Sequence, residues 1–116
     1  MPRLTYSSEK LGCGATIELD NGDICMISVA RTGVLVRSYK GDFWGLILGS
    51  FLGSILYNEK DVYRAAETAA ALDSKYPKVA NLRFENPVLT AFACAVWNCS
   101  SAAEVAIVLN EAAAQV

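Results

Sequence analysis

From Ala15 onward the chain alternates. Ala15, Ile17 and Leu19 fall on one side and Thr16, Glu18 and Asp20 on the other, which is the period of a half-buried strand. Asn21-Gly22 follows at once and predicts a type I′ hairpin turn, since both residues tolerate positive φ. A second strand then runs from about Asp23 to Arg31, Thr32-Gly33 predicts another tight turn, and Val34 to Tyr39 returns as a third strand. Two-residue turns set the pairing: Leu19 opposite Ile24, Ile17 opposite Met26, Val29 opposite Val36, and Ala30 opposite Leu35. The middle strand is apolar on both faces, with Ile24, Met26 and Ala30 on one and Cys25, Ile27 and Val29 on the other. Neither face suits water. Helices on both sides would cover it, or helices on one side and a second subunit on the other. Residues 1–12, ahead of this meander, are polar and mixed and are expected to form a loosely ordered arm.

The segment after the third strand reads GDFWGLILGSFLGSILYN, residues 41–58. Gly41, Gly45, Gly49 and Gly53 recur at four-residue steps, which on a helix make one stripe where another backbone can approach closely. The same residues read equally well as a glycine-rich connection into a fourth strand over Ser54 to Asn58, because an interior glycine costs a helix about 1 kcal/mol. A membrane span is excluded by length. The apolar run from Phe43 to Tyr57 would make about 22 Å of helix against a hydrocarbon core of about 30 Å.

The remainder has helical periodicity. Lys60 to Lys75 places Val62, Ala66, Ala69 and Leu72 on one face, with Arg64, Glu67, Thr68 and Ser74 elsewhere, and Pro77 ends it. Asn86-Pro87 is an N-cap followed by proline at the first helical position, and the helix it opens runs to about Trp97 with Leu89, Phe92, Ala93 and Val96 as its buried stripe. Ser101 with Glu104 is a capping box that opens a last helix, whose apolar face is Val105, Val108, Leu109 and Ala112. The pattern as a whole predicts one α+β domain over residues 1–116: an N-terminal antiparallel meander of three strands, or four, packed with three or four C-terminal helices.

Composition adds a need for cover. The chain is 53% hydrophobic and only 19% charged, against roughly 25% charged for a soluble domain. A chain of this size has proportionally the most surface to hide, so surplus apolar side chains point toward a partner. A homodimer is therefore expected, with an unidentified protein partner as the other occupant of such a surface. The net charge is -2 and the basic residues are scattered from Arg3 to Arg83 without a run, so no nucleic-acid-binding face is expected. The start, MPRLTYSSEKLGCG, has no apolar core after its positive charge and does not read as a signal peptide; the expectation is a cytoplasmic protein.

Candidate chemistry is sparse. Histidine is absent, and Cys13, Cys25, Cys94 and Cys99 lack the paired spacing of zinc ligands, so buried free thiols are expected and no metal. Glu18, Asp20 and Asp23 surround the first turn but lack the ligand spacing of a calcium loop. GLILGS lacks the Lys-Ser/Thr of a phosphate loop, and GxxxG is not a dinucleotide fingerprint, so no cofactor is implied. The last two helices could suggest a helix-turn-helix, but Asn86 to Val116 contains neither Lys nor Arg, and Glu104 and Glu111 would face phosphate.

Two sets of residues stand as candidates. Arg31, Arg37, Tyr39 and Lys40 around the second hairpin, with Phe43 and Trp44, combine guanidinium groups with an aromatic wall, which suits a small carboxylate- or phosphate-bearing ligand. Gly45, Gly49, Gly53, Trp97, Val105 and Val108 are the candidate interface. With no assembled catalytic motif, the leading expectation is a non-enzymatic interaction module that self-associates. A small-ligand-binding or regulatory domain is the alternative, and an enzyme of unknown class comes third.

Overall fold

The computed structural model describes residues 1–8, 13–30, 33–40, 51–57 and 62–114. They form an α+β arrangement in which five antiparallel strands follow one another as β1 (Arg3–Ser8), β2 (Cys13–Glu18), β3 (Ile24–Ala30), β4 (Gly33–Tyr39) and β5 (Phe51–Tyr57). Three helices come next: α1 (Val62–Lys75), α2 (Pro87–Trp97) and α3 (Ala102–Ala114). The strands lie in the sheet in chain order, β1-β2-β3-β4-β5.

One end of this sheet differs from the sequence reading, and the other takes the strand alternative that the sequence left open. The arm is a strand: Arg3–Ser8 pairs with β2, Leu4 lying opposite Ile17 and Tyr6 opposite Thr16, with a register shift between them at Thr5. Thr, Tyr and Leu favour a pleated, half-buried surface even in a polar context. At the other end, residues 51–57 extend the sheet beside β4, with Gly53 opposite Ser38. A single glycine-striped helix over 43–57 is thereby ruled out for Gly53, while Gly45 and Gly49 lie outside the described residues.

The first hairpin is one residue wider than a type I′ turn. Gly22 N donates to Leu19 O at 2.9 Å and Leu19 N donates to Asp23 O at 2.8 Å, leaving a three-residue loop of Asp20, Asn21 and Gly22. Only Gly22 takes positive φ there, at 90°, so the loop is a type I turn closed by a glycine bulge. Every partner moves by one: Ile17 faces Cys25 and Thr16 faces Met26. At the second hairpin Ala30 faces Gly33 and Val29 faces Val34, against the expected Leu35 and Val36; Arg31 and Thr32 lie outside the described residues. Gly33, with φ of 136°, is the first residue of β4. That shift displaces partners by two and leaves the faces unchanged.

The helix-facing side of the sheet carries Ala15, Ile17, Cys25, Ile27, Val34 and Val36, all buried in one core with Leu72, Leu89, Phe92, Val96, Val105 and Leu109. Helix α2 lies over β2 and β3, α1 lies over β4 and β5, and α3 packs on the other two helices. This makes α2 the central element. All its residues from Leu89 to Val96 are buried, so the expected one-sided stripe is a helix buried all round. Asn86 caps it as expected, its Oδ1 accepting from Val88 N at 2.9 Å and Leu89 N at 3.2 Å. In α1 the buried positions among the described side chains are Ala65, Thr68, Ala69 and Leu72, so Ala69 and Leu72 are inside as expected, while Ala66 is exposed and Thr68 is buried in its place. Alanine and threonine mark a face weakly, and packing against α2 decides it. No helix among the described residues is long and apolar enough to cross a membrane.

Candidate functional site

The carboxylates at the first hairpin are used by the fold. Arg3 pairs with Glu18 at 2.6 Å, and the amino group of Met1 pairs with Asp20 at 2.8 Å. Asp23 does more. Its backbone N donates to Asn21 Oδ1 at 2.9 Å, and its carboxylate accepts from Asn21 Nδ2 at 2.7 Å and from the backbone N of Ala102 at 3.1 Å. Asn21 N donates to Ser100 O at 3.3 Å beside it, so the hairpin tip is fastened to the start of α3. The capping box at that start is displaced by one residue: Ser101 Oγ accepts from Glu104 N at 3.3 Å, but Glu104 reaches Ser100, accepting from its N at 3.0 Å and its Oγ at 2.6 Å. Those bonds hold the Glu104 carboxyl below its ordinary value. Among the described residues no cluster of Cys, Asp or Glu is arranged to hold a metal ion.

Three thiols are buried and engaged. Cys25 Sγ lies 3.4 Å from Ser38 Oγ, Cys94 Sγ donates to Leu82 O at 3.9 Å, and Cys99 Sγ donates to Ala95 O at 3.3 Å. Burial pushes the Cys99 thiol up to about 12 and also raises Cys25. A thiol held protonated is a poor nucleophile.

Of the candidate ligand residues, Arg37 and Tyr39 sit two apart on β4, on the face turned away from the helices, opposite Met26 and Ile24. Thr16 and Ile24 on that face are only 6% and 8% exposed. Arg37 Nε is buried and has no hydrogen-bond partner among the described residues. Arg31, Phe43 and Trp44 lie outside the described residues, so the expected pocket is represented only by its two β4 members.

A separate depression of about 300 Å³ is lined by Lys78, Arg83, Phe84, Glu85, Pro87 and Thr90, at the mouth of α2. Its polar floor is already satisfied. Thr90 Oγ1 accepts from Phe84 N at 3.1 Å and lies 3.1 Å from the Asn86 carbonyl, and the first free N–H groups of α2 are taken by Asn86.

The candidate interface residues separate. Val105 is in the chain's own core and has no surface to offer, while Trp97 and Val108 are half-buried and pack against that core. The residue that sequence reasoning missed is Ile107, 58% exposed on α3. Its signal was present, since Ile107 falls between the stripe positions Val105 and Val108–Leu109 and must point away from them. Beside it Ala103, Asn110, Glu111 and Ala114 are also exposed, giving an outer face with a large apolar side chain set among small ones. The chain matches no protein-family model, no curated protein and no solved structure.

Proposed function

We propose that this protein is a non-enzymatic interaction module whose first partner is another copy of itself, engaged through the outer face of the helix layer. The observation that carries the reading is Ile107, a large apolar side chain 58% exposed on α3 and flanked by Ala103 and Ala114, in a stretch from Asn86 onward without a single Lys or Arg. Charged residues are depleted and large apolar ones enriched at the centre of protein interfaces. The engaged Asp23 and Glu104 carboxylates and the thiols of Cys25 and Cys99, raised by burial, support a non-enzymatic role, since none of these four groups is free to act as base or nucleophile. The depression at Lys78 and Arg83 favours a second reading, a small anionic ligand, which ranks below the first because the floor groups are already paired.

Sedimentation velocity at tens of micromolar tests the proposal. Wild-type protein is expected to sediment above the mass of one chain. Ile107→Ser, at an exposed position, should leave the far-ultraviolet spectrum unchanged and weaken association roughly 10- to 100-fold, the worth of one buried aliphatic side chain. A wild-type monomer would end the self-association reading and promote ligand binding.

A further inference from the structure

Among the chain's asparagines only Asn21 precedes glycine. That order favours loss of the side-chain amide, because glycine has no Cβ to hinder attack by its own backbone nitrogen. In that reaction Gly22 N bonds to Asn21 Cγ, the Cγ–Nδ2 bond breaks, and Nδ2 leaves as ammonia. The Gly22 amide proton goes to solvent base and the departing ammonia takes an equivalent proton from water. A cyclic succinimide remains, which water opens to aspartate or isoaspartate. In the folded hairpin each of these atoms is occupied. Gly22 N, the nucleophile, donates to Leu19 O at 2.9 Å. The leaving Nδ2 donates to the Asp23 carboxylate at 2.7 Å, and Oδ1 accepts from Asp23 N at 2.9 Å. Asn21 N donates to Ser100 O at 3.3 Å, and the same Asp23 carboxylate accepts from Ala102 N at 3.1 Å at the start of α3. Asn21 itself is exposed, so water reaches it and only these bonds hold it back.

We propose that Asn21 is a site of spontaneous self-modification, gated by the fastening of the hairpin tip to α3, and that its conversion releases that fastening. The reaction proceeds from the opened hairpin, where Gly22 N is free to turn onto Cγ, so its rate follows the fraction of molecules open at this point. The product cannot close the hairpin in the same way. An aspartate at position 21 has no N–H to give, and its carboxylate stands against that of Asp23 where Nδ2 now donates, which turns an attraction into a repulsion. An isoaspartate lengthens the backbone between the nitrogen bonded to Ser100 O and Gly22, and moves the turn off its partners. Because ammonia is lost, the release runs one way.

Peptide-map mass spectrometry of protein aged in mildly alkaline buffer tests the site, with chromatography to separate aspartyl from isoaspartyl peptides. In urea, Asn21 is expected to convert at the rate of a free peptide carrying residues 20–23, and in native buffer at least about tenfold more slowly. Ala102→Pro removes only the N–H that holds Asp23, at the first helical position where proline is tolerated, and should speed native conversion about tenfold. Asp23→Ala, which removes the acceptor of Nδ2 as well, should speed it further. Circular dichroism confirms that each variant is folded; should either unfold, the native-against-urea comparison on wild type still decides the gate. Asn21→Asp reproduces the aspartyl product, and hydrogen exchange at the hairpin and the first turn of α3 should quicken about tenfold. Native wild type converting as fast as the peptide overturns the gate, and folded variants converting no faster than wild type place the protection elsewhere. No conversion at Asn21 in urea overturns the site itself. An Asn21→Asp protein with wild-type exchange overturns the release.

Discussion

Thr68 brings a hydroxyl into the core beneath α1 with no exposure and, among the described residues, no hydrogen-bond partner for its Oγ1. An unpaired buried hydroxyl costs roughly 1–3 kcal/mol, and valine has nearly the same shape. Thr68→Val is expected to stabilise the fold by about 1 kcal/mol in urea denaturation; a destabilised variant would mean that the hydroxyl is paired in solution. Cys99 gives a pH dependence of defined sign. Burial holds its thiol protonated to about 12, while the unfolded chain ionises near the ordinary 9.0, so the unfolded state alone loses the proton in between. The stability contributed by Cys99 is whole below pH 9.0 and drains away as pH rises toward 12. The stability gap between wild type and Cys99→Ala should therefore narrow across that window, and a gap independent of pH would contradict it. The buried character of these cysteines was legible from the missing ligand spacing. Ile107 was not read, because an apolar residue off the stripe looks like noise until the helix is placed against its neighbours.

At the scale of elements, hairpins and caps were legible and register was not. Asn21-Gly22 marks a turn whether the loop holds two residues or three, and only the conformation of Asn21 separates a type I′ turn from a type I turn closed by Gly22. That conformation is settled at a distance, since Asn21 N and the Asp23 carboxylate are both engaged with the start of α3, far along the chain. Strand β1 was missed because its alternation is weak; its ladder with β2 and the Thr5 Oγ1 bond to Thr16 O at 3.3 Å hold it instead. The Asp23 link also yields a prediction. Asp23→Ala removes the acceptor for Ala102 N and for Asn21 Nδ2, and should cost about 1–3 kcal/mol. Native-state hydrogen exchange should show the loss at both the hairpin and the first turn of α3. Faster exchange at the hairpin alone would mean that the two elements are not coupled through this side chain.

For the whole molecule, much of the apolar surplus among the described residues is absorbed by the chain itself. A fully buried α2, with α1 and α3 beside it and the helix-facing side of the sheet beneath, takes most of the large side chains. Of the expected ligand site, the strand pattern puts Arg37 and Tyr39 on one face but says nothing of the space above them. Among the described residues the large apolar side chains left exposed are Met1, Tyr6 and Ile107, and association through the helix layer should act as an increment to a marginal fold. That has a thermodynamic signature. If folding and pairing are linked, the dimer is favoured by mass action, and each tenfold rise in protein concentration adds about 0.7 kcal/mol per chain. For a domain near 100 residues this moves Tm up by about 3–5 °C. The shift should be present for wild type across a hundredfold range of concentration and absent for Ile107→Ser. A wild-type Tm that does not move with concentration, in a protein that nonetheless sediments as a dimer, would place the contact on pre-folded surfaces too weak to survive to the melting temperature.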